Sequence, residues 1–211
     1  MQAKTKIIYV FDPMCGWCYG FSAVIQKAAQ KYAGEFDFEI ISGGMVVGER
    51  EGPVGDFADY ILSAYKRVEE ASGVIFGEAY LAQLKTKQLY SSSVKPAIAI
   101  EVFKNFHPLQ AITFAAALQK AYFMDGLDLS KDEVYKALIK PYGINETIFL
   151  KSLNDDAMRK KTYDGFKQAA NLGVNGYPAV MAFKNGKYYA LTNGFTDYET
   201  LEKSLEKIKN L

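Results

Sequence analysis

The chain of 211 residues is 49% hydrophobic and carries 25 Lys and Arg against 24 Asp and Glu, a formal net charge of +1. A chain of that size and apolar content suits one domain, or one domain with an insertion, and is neither disordered nor fibrous. Near-neutral charge supplies no global field for nucleic acid or an anionic membrane, and no run approaches the ~20 apolar residues of a membrane span.

The first residues, MQAKTKIIYVF, turn apolar at Ile7 and reach an Asp-Pro pair by residue 12. That leaves too little room for a signal-peptide core and cleavage site, so the chain reads as cytoplasmic; a removed leader with an added Met is the alternative. Lys6 to Phe11, KIIYVF, is β-branched and aromatic and reads as a buried strand, with Asp12 fitting a turn before Pro13. Phe21, Val24, Ile25, Ala28 and Tyr32 recur at helical spacing and predict a helix from near Trp17 to Gly34. Phe36 to Ser42, FDFEIIS, is the next strand, closed by Gly43-Gly44, and completes a βαβ unit with parallel pairing.

From about Asp56 to Leu172 the text becomes rich in Ala, Leu, Lys, Tyr and Gln. Helical patterns run over 56–70, 77–88, 94–106, 109–124, 131–140 and 155–172, broken at Gly73, Gly77, Pro108, Gly126, Pro141 and Gly143. Arg159, Lys160 and Lys161 form a local basic run that reads as a solvated helix face. Strand signals return at Ala179 to Phe183 and Lys187 to Leu191, around the hairpin signal Lys184-Asn185-Gly186. A last helix from about Asp197 buries Tyr198, Leu201, Leu205 and Ile208. The class is α/β, with an N-terminal βαβ part (1–54), an all-helical insertion (55–172) and a C-terminal ββα part (173–211).

Cys15 and Cys18 are the two cysteines of the chain, both inside FDPMCGWCYGF. They cannot build a framework of structural disulfides, so the pair is chemical or a ligand set. Zinc or an iron–sulfur cluster needs further soft ligands, and the sequence offers a single histidine, His107, whose place before Pro108 reads as a capping or loop position. Between a strand and a helix, Cys15 falls just before or at the first helical turn, where free N–H groups and the helix dipole stabilise a thiolate. Cys18 follows within bridging distance, shielded by its own helix. One sulfur then attacks a substrate disulfide and the other resolves the mixed disulfide. Trp17, between them, reads as packing on substrate, with an ordinary buried helix residue as the alternative. In GVNGYPAV, residues 173–180, Pro178 directly precedes a strand and lacks an N–H; the residues alone leave an ordinary trans turn and a cis bond both open.

The strand–DPMCGWCYGF–helix opening, the helical block, GVNGYPAV before a hairpin and the closing helix together resemble the DsbA family of thioredoxin-fold oxidoreductases, especially its FrnE-like cytoplasmic branch. The resemblance implies a thioredoxin-like fold, Cys15 as nucleophile, Cys18 as resolving thiol and Pro178 as a cis proline, with the Tyr177 backbone free to pair with an extended peptide. Two departures qualify it. Where the family carries a buried acid about six residues before the first cysteine, this chain has Tyr9, which leaves water, Asp12 or Glu39 as candidate proton acceptors for Cys18. Where strongly oxidising members have Pro-His between the cysteines, this chain has Gly-Trp, and from Ile7 to Gln26 Asp12 is the one charge, which favours a reductase or isomerase over an oxidase. The expected partners are protein or peptide thiols and disulfides and a redox partner, without nucleic acid or membrane. No metal or cofactor is expected beyond the redox-active Cys15–Cys18 disulfide, with glutathione a candidate reductant. The rival readings are a glutathione-dependent isomerase or transferase of the same superfamily, which needs no Cys18, and a peptide-binding holdase.

Overall fold

In a computed structural model that describes residues 4–211, strand β1 (Thr5–Phe11) alternates its side chains between two separate apolar layers. Ile7, Tyr9 and Phe11 belong to the main core, while Ile8 and Val10 join Ile41, Ala169, Ala179 and Met181 on the other face. A strand covered on both sides reads as a continuous apolar run, which is why KIIYVF shows no polar alternation. Met1 to Ala3, at the start of the expected N-terminal part and leader reading, lie outside the described residues.

Helix α1 (Gly16–Lys31) returns the chain to β2 (Phe36–Ser42), which pairs with β1 in parallel from Thr5↔Phe36 to Phe11↔Ser42. After the insertion come β5 (Ala179–Lys184), antiparallel to β1, and β6 (Lys187–Asn193), antiparallel to β5, giving the strand order β2-β1-β5-β6. Asn185 and Gly186 form the two-residue turn, with φ of 52° and 77°. Both values are positive, as a hairpin turn of the tightest kind requires, which explains Asn-Gly at this point. Helix α9 (Tyr198–Lys209) closes the chain with Leu201, Leu205 and Ile208 buried. Tyr198 is only half-buried, contrary to the sequence reading, because it stands at the first helical position with Lys27 over its ring at 3.8 Å.

The insertion starts from a two-residue ladder that sequence periodicity is too short to reveal: β3 (Gly52–Pro53) against β4 (Tyr90–Ser91). Between them lie α2 (Phe57–Ser72) and α3 (Glu78–Lys85). Five helices follow: α4 (Val94–Lys104), α5 (Ala111–Phe123), α6 (Asp132–Ile139), α7 (Glu146–Leu153) and α8 (Asp156–Asn171). Helix α7 was absent from the sequence reading; it buries Phe149 and Leu153 and is capped by Asn145, whose side chain accepts the Ile148 N–H at 3.0 Å. Helix α5 packs on α1, and α8 returns to the sheet, placing Ala169 over Ile8 and Val10. The basic run on α8 is a solvated face: Lys160 pairs with Asp164 and Lys161 with Glu101. No helix among the described residues is long and apolar enough to cross a membrane.

Candidate active site

The site forms where β1 hands over to α1. The chain turns at Asp12-Pro13, closed by the Cys15 N–H on the Asp12 carbonyl at 3.1 Å. Cys15 is then the N-cap of α1, extended at φ −87° and ψ 113°, and its sulfur does the work of a capping oxygen by accepting the Cys18 N–H at 3.3 Å. Its thiol also donates to the Tyr177 carbonyl at 3.5 Å, across 162 positions of sequence. Cys15 is 6% exposed and Cys18 fully buried, so the opening onto the first sulfur is narrower than its place at a helix start suggests. Both thiols are free. Burial pushes the Cys18 thiol well up, its contact with Cys15 adds to this, and a backbone contact from Asp12 opposes it.

Asp12 is the hub of the surroundings. Its carboxylate is fully buried and accepts the N–H of Met14 at 2.9 Å, the Ser93 hydroxyl at 2.7 Å and the N–H of Met45 at 2.7 Å. Gln119 Nε2 donates to its carbonyl at 3.2 Å. Its side chain thus ties the cysteine turn to the loop after β2 and to the start of α4, and its backbone carbonyl ties the turn to α5. Burial raises its pKa, and the Met45, Ser93, Met14 and Gly44 hydrogen bonds pull the other way.

Glu39, the other candidate proton acceptor, is not brought to the cysteines. It stands opposite Ile8, three residues back from the end of β2, or about 10 Å along the strand, and pairs with Lys6 at 3.6 Å on a partly exposed surface.

The Tyr177–Pro178 peptide bond is cis, and Pro178 is buried, its carbonyl accepting the Gly194 N–H at 2.8 Å. The Tyr177 hydroxyl donates to the Gly43 carbonyl at 2.9 Å, and its ring lies so close over Gly43 that a Cβ there would come within 2.1 Å of it. Gly43 is therefore a seat for Tyr177 as well as the end of β2. We expect Gly43→Ala to displace Tyr177 and its carbonyl from Cys15, slowing disulfide exchange on the order of 10²-fold with the helical content intact. Stopped-flow thiol exchange beside circular dichroism checks this, and an unchanged rate refutes it.

Trp17 is half-buried and leans on Phe195, with ring centroids 5.6 Å apart, so the loop after β6 also borders the site. A cleft of about 400 Å³ opens on the other side, next to Met14, lined by Met45, Val54, Phe57, Ile61 and Tyr122. His107 lies elsewhere: its ring packs on Phe103 and Tyr142, and Nε2 lies 3.2 Å from the Tyr142 carbonyl. Among the described residues no group of three or more His, Cys, Asp or Glu is arranged for a metal ion.

A thiol that caps a helix at the end of a sheet strand, with a second thiol buried one turn behind it, defines a thiol–disulfide oxidoreductase of thioredoxin-like fold. The comparisons with known proteins agree. Residues 6–206 match the DSBA-like thioredoxin domain, and the chain belongs to that family. A structure from Nitrosomonas europaea, provisionally described as a protein disulfide isomerase, superposes with a TM-score of 0.83 at 24% identity, covering 97% of each chain. The cytosolic disulfide reductase DsbM from Pseudomonas aeruginosa superposes at 0.81 and 22% identity, over 97% of this chain and 98% of its own. At 0.67 and 14% identity, a 2-hydroxychromene-2-carboxylate isomerase shares the fold over 96% of this chain and 95% of its own. A search of curated protein sequences found no match.

Proposed function

We propose that this oxidoreductase works as a reductase or isomerase of protein and peptide disulfides, with glutathione as the reductant that regenerates it. The carrying observation is the double engagement of the Cys15 sulfur, which meets the Cys18 N–H at the helix start and the Tyr177 carbonyl from the facing loop. In this reading the Cys15 thiolate attacks one sulfur of a substrate disulfide and expels the other as a thiolate. Cys18 then attacks Cys15, the substrate's second sulfur leaves, and the enzyme holds a Cys15–Cys18 disulfide. Two glutathione thiols reduce that disulfide and depart as oxidised glutathione, so the electrons balance.

Trp17, Tyr177 and Pro178 form the binding surface of the reading: Tyr177 offers backbone to an extended peptide, and the apolar cleft beside Met14 takes a side chain flanking the disulfide. The direction of transfer is supported by the surroundings, since among the described residues no Lys or Arg is hydrogen-bonded to either sulfur. It is supported too by the similarity to DsbM, which has also been solved with glutathione, and that relative's cytosolic setting is the one proposed here. A fully buried Cys18 disfavours the single-group chemistry of a glutathione-dependent isomerase, which has no use for a second thiol.

Equilibration with glutathione redox buffers tests the direction. The expected potential lies near the −180 to −270 mV of isomerases and reductases, and a value near the −120 mV of a strong oxidant would overturn it. In the reduced protein, limited iodoacetamide labelling should modify Cys15 before Cys18; faster labelling of Cys18 would reverse the two roles.

A further inference from the structure

The resolving thiol has to become an anion in a place that offers it little help. Cys18 is fully buried, and in the mixed disulfide, where Cys15 carries no charge, the titratable group left acting on it is Asp12, whose charge opposes an anion while its backbone contact favours one. One neutral donor stands in the same pocket. Tyr9 projects from β1 into the core, 2% exposed, with its ring 5.4 Å from that of Phe11 and 5.8 Å from that of Phe21. Its hydroxyl is buried and has no partner of ordinary hydrogen-bond geometry among the described residues. The Tyr9 ring packs on Phe21, which stands one turn after Cys18 on the buried side of α1, and Tyr9 and Cys18 share the same core; burial raises the Tyr9 pKa first, and Cys18 adds to it.

A buried hydroxyl without a partner lowers stability, and a phenylalanine would fill the same space without that cost. The oxygen therefore has its use in a state other than the resting dithiol. We propose that the Tyr9 hydroxyl donates a hydrogen bond to the Cys18 sulfur as it becomes a thiolate and attacks Cys15, so that Tyr9 serves the resolving step and not the first attack. Cys18 gives up its proton, its sulfur bonds to Cys15, the Cys15–substrate bond breaks, and the departing thiolate takes up a proton. Tyr9 keeps its own throughout, because burial pushes its pKa well up.

The inference rests on the two-thiol reading, and one experiment separates their failures. Mixing the reduced protein with an aromatic disulfide that releases a coloured thiolate gives two phases: attack by Cys15, then resolution by Cys18. In Tyr9→Phe the second phase should slow about tenfold or more, a hydrogen bond to an anion being lost, while the first changes less than twofold. Thermal stability of the reduced variant should be equal or higher. Unchanged phases, phases slowed alike, or a lowered melting temperature would overturn the role of Tyr9 and leave the two-thiol reading standing. A wild-type protein with no second phase at all would overturn both.

Discussion

Cys15→Ser should abolish catalysed reduction of a protein disulfide, a loss on the order of 10³-fold or more, whereas Cys18→Ala should bind substrate and hold it. The two variants differ because the sulfurs stand in different places. Cys15 reaches both the helix start and the facing loop and Cys18 is sealed behind it, so on the proposed reading Cys15 is the sulfur that takes up an incoming disulfide. Serine is preferred to alanine at position 15 because its oxygen keeps the cap on the Cys18 N–H, and losing a cap outright costs about 0.5–2 kcal/mol that would blur the result. With insulin and dithiothreitol, Cys15→Ser should precipitate insulin no faster than dithiothreitol alone. Cys18→Ala should appear on non-reducing gels as adducts that dithiothreitol releases, since without Cys18 the mixed disulfide has no internal exit. Full activity in Cys15→Ser would end the redox reading. A peptide-binding holdase would behave otherwise, since it keeps suppressing aggregation when both cysteines are replaced.

The parts of this machine that sit close together in sequence were legible there. The β1–α1–β2 unit shows itself because both faces of β1 are covered and α1 buries a regular stripe, and β2 runs over the very residues its pattern marks. Asn185-Gly186 fixes the hairpin because few other pairs tolerate two positive φ values. Helix α7 escaped because two turns following Pro141 and Gly143 give too short a pattern, although Asn145 three residues before Ile148 is a readable cap. Within the site, Cys15 and Cys18 announce themselves by spacing. Ser93, Met45, Gln119 and the Tyr177 seat on Gly43 do not, because they reach Asp12, or each other, across 33 to 134 positions, and no local window holds that information. Tyr9 was legible as the residue standing where the family carries its buried acid; that its hydroxyl is buried without a partner shows only in the fold.

Asp12→Ala should lower stability more than any substitution at the cysteines, because it strands the donors that converge on one carboxylate. The backbone N–H groups of Met14 and Met45 and the hydroxyl of Ser93 lose their acceptor in a site closed to water. Each buried donor left unsatisfied costs about 1–3 kcal/mol, so a net loss of about 3 kcal/mol is expected after relaxation, or a melting temperature lower by about 6–12 °C. Asp12→Asn should recover only part of this, since its one oxygen serves Met14 and Ser93 while its amide meets the Met45 N–H, donor against donor. The pH dependence carries its own sign. Burial holds the Asp12 pKa above the ordinary 3.8, so the native chain binds this proton more readily than the unfolded chain. The stability that Asp12 contributes is then largest below the unfolded value and declines as pH rises from 3.8 through the folded-state value. Urea titrations of wild type and Asp12→Ala should show a wider gap at pH 4 than at pH 7. A gap that instead widens with pH would mean that hydrogen bonding outweighs burial and that Asp12 behaves as an ordinary paired carboxylate.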